Sequence, residues 1–76
     1  MAGHVVDSDD HTVVGKVGRV TGRIGPGRTG EVTLSVRGGT EAFLAHAAER
    51  DETIGPGTRV VVVEYFAPRT VYVSLA

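Results

Sequence analysis

The stretch "EVTLSVRGGTEAFLAHA", residues 31–47, decides the fold. Val32, Leu34 and Val36 alternate with Glu31, Thr33, Ser35 and Arg37, and a period of two sends the first set to one face of a strand and the second set to the other. One face is core and the other meets water. Gly38 and Gly39 follow as a two-residue hairpin turn, since both central positions of a type I′ turn need positive φ. The returning strand is "TEAFLAHA", residues 40–47, with Phe43 in the core and His46 as a half-buried structural histidine.

The same signals recur on either side of this hairpin. Upstream, "KVGRVTGRI" (residues 16–24) reads as a strand interrupted by Gly18 and Gly22, which a strongly bent barrel strand requires. Downstream, "AERDET" (48–53) is a polar connection with room for one helical turn. The run "TRVVVVEYF" (58–66) carries four valines in a row, which implies burial on both faces or a register-shifting bulge. Last comes "TVYVSL" (70–75), with Val71, Val73 and Leu75 inward and Tyr72 outward. Helical periodicity is almost absent, so the chain is an all-β domain. Five strands with glycine bends in the first suit a small five-stranded OB-type β-barrel, with an SH3-like barrel as the alternative. Closing the sheet would also hide the valine-rich edges.

Two segments share the tetrapeptide Ile-Gly-Pro-Gly: "RIGPGRTG" (23–30) and "TIGPGTRV" (53–60). The first contains the Gly-x-x-x-x-Gly spacing of a phosphate loop, but Glu31 and Val32 stand where lysine and a hydroxyl belong, and a strand follows in place of a helix. Both segments therefore read as corners. Pro26 and Pro56 fix φ, and Gly25, Gly27, Gly30, Gly55 and Gly57 supply the turn positions, as Gly38 and Gly39 do in the hairpin.

Size and composition narrow the function. At 76 residues the chain is one domain that buries about 60% of its unfolded surface, with little room for an internal cavity. It has no cysteine and three scattered histidines, which removes disulfides, thiol chemistry and the usual zinc spacings. His4, Asp7, Asp9, Asp10 and His11 crowd together, but they lack the ordered glycine and terminal glutamate of a calcium loop and read as a solvated acidic segment. No serine or threonine lies in a nucleophile motif. The expectation is a non-enzyme without metal or cofactor.

The first ten residues hold three aspartates and no basic group, whereas from residue 11 onward eight Lys and Arg face six acids. Residues 1–13 read as a flexible acidic tail or linker, and residues 14–76 as the barrel. The +2 balance of the barrel is too small for a nucleic-acid footprint. Four aromatics, Phe43, Tyr65, Phe66 and Tyr72, are few for a base-stacking platform, so single-stranded nucleic-acid binding is the weaker alternative. The glycine-and-basic flavour of residues 15–32 also suggests a KOW-like or SH3-like accessory domain, without the lysine richness of such domains. No run reaches the ~18 to 20 apolar residues of a membrane span. Exposed arginine and tyrosine are the usual anchors of protein interfaces, which singles out Arg28, Arg37, Arg69 and Tyr72 as partner-binding residues.

One set of residues also carries a family likeness. Gly15-x-x-Gly18-x-Val20, Ile24-Gly-Pro-Gly27, Gly30-x-Val32, "RGGTEAFLA", Ile54-x-x-Gly57-x-x-Val60-x-Val62 and "PRTVYV" together resemble the C-terminal domain of NfeD-like membrane proteins, from about Val14 to the end. The resemblance implies an OB-fold barrel held on transmembrane helices of a longer chain. It further implies partnership with flotillin-like or stomatin-like scaffolds of the SPFH group or with a membrane protease, in membrane-protein quality control, on the cytoplasmic side. Some longer relatives carry a serine protease domain, which nothing here matches, and the family offers no catalytic residue to place on this barrel.

Overall fold

The computed structural model describes residues 13–36 and 38–76. Five strands form in chain order: β1 (Val17–Gly22), β2 (Gly30–Val36), β3 (Gly39–Ala47), β4 (Arg59–Phe66) and β5 (Thr70–Leu75). They close into a barrel in the order β1-β2-β3-β5-β4, with β4 returning to β1. Every contact is antiparallel except that between β3 and β5. A meander of consecutive strands cannot produce that parallel pair. The order belongs to the OB-type barrel and sets the SH3-like alternative aside.

Alternation builds the core as the composition requires. Val32 and Leu34 of β2, Phe43 and Ala45 of β3, Val60 and Val62 of β4, and Val71 and Val73 of β5 are all buried, and Val13, Val20, Ile24 and Ile54 complete the cluster. The hairpin register puts Val32 opposite Phe43 and Gly30 opposite Ala45. In β4 the run of four valines resolves as a bulge: the register shifts between Val62 and Glu64, and Val63 stands 41% exposed. Downstream of the bulge the inward phase passes to Tyr65, whose ring meets Phe43 edge-to-face at 6.2 Å. A second shift, between Val20 and Gly22, bends β1.

Three expectations are corrected. Leu75 keeps the parity of Val71 and Val73 and lies opposite Val60, yet it is 56% exposed because it ends β5 at the mouth of the barrel. Gly39 is not a turn residue: it opens β3 opposite Val36, and positive φ falls on Gly38 (78°) alone of the glycine pair. Gly30 is likewise not a corner, being the buried first residue of β2. At the other boundary, Val13 is part of the core, while residues 1–12 lie outside the described residues.

The two Ile-Gly-Pro-Gly segments are matched corners. Arg28 N–H donates to the Gly25 carbonyl (3.2 Å) and Thr58 N–H to that of Gly55 (3.3 Å). Proline holds the second position of each, and Gly27 (φ 72°) and Gly57 (φ 92°) the third, the arrangement of a type II turn. The corners also meet. Ile24 N–H donates to the Ile54 carbonyl at 3.0 Å and Ile54 N–H returns the bond at 2.9 Å, with both side chains buried. Next to this bridge, Gly57 N–H donates to Val20 O and Val20 N–H to Thr58 O. These bonds extend the β1–β4 seam beyond its three register pairs.

Gly30 is where this arrangement is tightest. A Cβ there would strike the Ile24 side chain and come within 2.7 and 2.8 Å of the carbonyl oxygens of Gly22 and Arg23, two of the three obstacles being backbone that cannot swing away. Gly30→Ala is therefore expected to cost about 3 kcal/mol and lower the melting temperature by roughly 15 °C. Gly55→Ala, with nothing within 4 Å of the new methyl, should stay within about 0.5 kcal/mol of the parent. Thermal unfolding followed by circular dichroism checks both; equal shifts would refute the close approach at Gly30.

Candidate interaction surface

The barrel's outer surface divides by strand. Across β3, β5 and β4 the outward residues align in two rows, Leu44–Thr70–Phe66 and His46–Tyr72–Glu64. The Tyr72 ring lies between two others, 5.2 Å from His46 at an interplanar angle of 34° and 5.6 Å from Phe66 at 78°. Leu44 and Phe66 are each 52% exposed. Three linked rings and a leucine thus cover three strands, and Glu64 is the one carboxylate in the two rows.

The face over β1 and β2 is different in kind. Arg19, Thr21, Thr33, Ser35, Thr40 and Arg59 are among the residues lining a shallow concavity of about 610 Å³ with no aromatic side chain in it. Arg19 and Arg59 stand opposite each other in the β1–β4 register, and the Thr21 hydroxyl donates to Glu31 Oε1 at 2.7 Å. Arg19 and Arg59 therefore sit apart from the exposed aromatics. Base stacking in a basic groove needs them together.

The four residues expected to anchor a partner have unlike settings. Tyr72 is half-buried at the centre of the aromatic rows. Arg69, in the turn between β4 and β5, donates from Nη1 to the Ala42 carbonyl at 2.8 Å, and its guanidinium carbon is 5.8 Å from the Phe43 ring centroid. Pairing of β3 with β5 begins only at Leu44, so Arg69 serves a carbonyl on the stretch of β3 that β5 leaves uncovered. Its contact with Glu41, at 4.0 Å between exposed side chains, adds little. Arg28 closes the first type II turn and borders a groove of about 290 Å³, shared with His46, Glu49, Arg50, Asp51 and Glu52. Arg37 lies outside the described residues, as do His4, Asp7, Asp9, Asp10 and His11.

The connection beside Arg28 is a turn, with Glu52 N–H donating to the Glu49 carbonyl at 3.3 Å and Asp51 at φ 65°. Aspartate tolerates this left-handed conformation better than most residues. His46 is half-buried, as its position in the strand suggested, but its ring is on the outer face against Tyr72.

Sequence reading missed Leu44 and Phe66 as surface residues. Leu44 was available from the parity of β3, since its neighbours Phe43 and Ala45 are core. Phe66 was not. Continued alternation from Val60 and Val62 points it inward, and only the bulge at Val63 turns it out.

The profile of the NfeD C-terminal domain family matches residues 17–74, from the first residue of β1 to the penultimate residue of β5. The chain belongs to the NfeD C-terminal domain family. This NfeD domain is similar in fold to the C-terminal domain of stomatin operon partner protein 1510-C from Pyrococcus horikoshii, with a TM-score of 0.67 and 22% identity over 88% of this chain and 92% of that one. No curated protein shows significant sequence similarity to this chain.

The ring contacts of the NfeD domain have a measurable weight. An edge-to-face pair contributes about 0.5–1.5 kcal/mol beyond area burial. A double-mutant cycle of Phe66→Ala and Tyr72→Ala, read by urea unfolding, should return a coupling of about 1 kcal/mol. A coupling of zero would mean that the rings do not hold each other in solution.

Proposed function

We infer that this NfeD domain is the non-catalytic interaction module of a membrane-anchored protein, and that it docks a flotillin- or stomatin-type scaffold of the SPFH group to control membrane organisation and membrane-protein proteolysis. The observation that carries this reading is the aromatic face of β3, β5 and β4 in a chain of this family. A barrel this small gains nothing in stability from leaving Leu44 and Phe66 in water, whereas aromatic anchors ringed by polar residues are the usual centre of a protein interface. The name of the structural relative, a stomatin operon partner, points to the same class of scaffold. Among the described residues no helix is long and apolar enough to cross a membrane, so the anchor in this reading is a segment of a longer protein. The domain itself then faces the cytoplasm, where it presents the scaffold to a membrane protease.

The test is capture of a purified SPFH-type scaffold on the immobilised domain. Wild-type domain should retain it, and Tyr72→Ala should weaken retention about tenfold or more without loss of fold, as truncation of an interface anchor does. Alanine at Arg28, Arg37 and Arg69 should reduce retention in the same assay. Failure of the wild type to retain the scaffold would overturn the reading. Retention of single-stranded oligonucleotide at about 50 mM salt, lost steeply as salt rises, would replace it with the nucleic-acid one.

A further inference from the structure

The aromatic rows suggest the chemistry of what covers them. β5 lies between β3 and β4 with both of its sides hydrogen-bonded, and β4 is paired with β5 and β1 in turn. Over Thr70–Val73, the centre of the two rows, β5 has no open edge, so a partner that covers this centre cannot add a β-strand there and has to bind through side chains. The exposed surface to be covered is Leu44, Phe66 and the outer edges of His46 and Tyr72.

The charges around this surface are unequal. Glu64 stands directly opposite Tyr72 in register, and among the described residues no Lys or Arg is within ion-pair reach of it. At the His46 end the rows run into the groove bordered by Glu49, Asp51 and Glu52, where three carboxylates outnumber Arg28 and Arg50. The one basic group at the Leu44 end, Arg69, is already engaged with the Ala42 carbonyl and Glu41. An apolar stripe with an acidic flank complements an apolar segment with a basic flank.

We propose that the outer face of β3, β5 and β4 docks an amphipathic helical segment of a protein partner, its aliphatic side chains on Leu44, Phe66 and Tyr72 and a lysine or arginine on Glu64. The inference rests on the interaction-module reading and specifies its contact. Glu64 sets orientation and selectivity, as charges at the rim of an interface do, while the apolar residues supply most of the affinity.

The experiment uses the full 76-residue chain, isotopically labelled, and two synthetic amphipathic helical peptides that share a leucine face and differ only in carrying lysine or glutamate along its flank. The lysine peptide should shift the amide signals of Leu44, His46, Glu64, Phe66 and Tyr72 and bind about fivefold tighter than the glutamate peptide, the range expected for an exposed ion pair. Glu64→Lys should reverse that order. Leu44→Ser with Phe66→Ser, both on exposed side chains, should abolish binding while leaving the spectrum folded. Equal affinity for the two peptides, shifts centred on Arg19 and Arg59, or Phe66-dependent sedimentation with phosphatidylglycerol vesicles in place of peptide binding would each overturn the proposal. Scaffold capture that survives the double serine variant would remove this contact and leave the docking function standing. Charge-selective peptide binding without scaffold capture would support the contact and remove the named scaffold.

Discussion

The two hydrogen bonds that Ile24 and Ile54 exchange are the contact on which the barrel depends. β1 has six residues and must serve two neighbours, meeting β4 through Val17–Arg19 and β2 through Arg19–Gly22. Such a short strand cannot close a barrel by its own pairing. The Ile-Gly-Pro-Gly corners prolong the seam, because each type II turn leaves its isoleucine extended and inward-facing just before the chain reverses. Two buried isoleucines thereby plug the end of the core that β1 and β4 leave open. Gly30 follows from the same geometry, since β2 has to leave the first corner with its backbone against the Ile24 side chain. For a chain that buries so little surface, an unclosed seam would expose both a valine-rich edge and the core behind it.

Closure also decides the character of the surface. Because β5 is paired on both sides at Thr70–Val73, recognition at the centre of the aromatic rows belongs to side chains alone. The bulge at Val63 then determines which side chains they are. With β4 in strict alternation, Phe66 would enter the core and Tyr65 would face water; the inserted residue exchanges them, giving Tyr65 to Phe43 inside and Phe66 to Tyr72 outside. Bulges re-aim side chains at functional surfaces in many sheets. Here a single residue decides which aromatic of β4 joins the outer face, and the NfeD domain presents Arg19 and Arg59 across the β1–β4 seam and apolar rings over β3, β5 and β4.

Much of this was legible in consecutive residues. The strands β2, β3 and β5 follow from alternation, the two proline corners from turn chemistry, and the family from a resemblance in glycine spacing and strand pattern that the family match over residues 17–74 bears out. Of the proposed contact, only Tyr72 was picked from the sequence. Leu44 was recoverable from parity, and Phe66 was hidden behind the bulge. Arg69, chosen as a free anchor, is occupied by a carbonyl that only the late start of the β3–β5 pairing leaves bare.

The sequence by itself determined the all-β class, the inward set Val32, Leu34, Phe43, Val71 and Val73, and the two corners, because side-chain period and turn preference are set by residues within a few positions of one another. Tertiary structure alone decided the parallel meeting of β3 and β5, the joining of Ile24 to Ile54, the placement of Gly30 inside a strand, the exposure of Leu75 at the barrel mouth and the turning out of Phe66. Each of these depends on which distant segment supplies the opposite half of a hydrogen-bonded ladder. A partner thirty residues away leaves no periodic trace in the local chain.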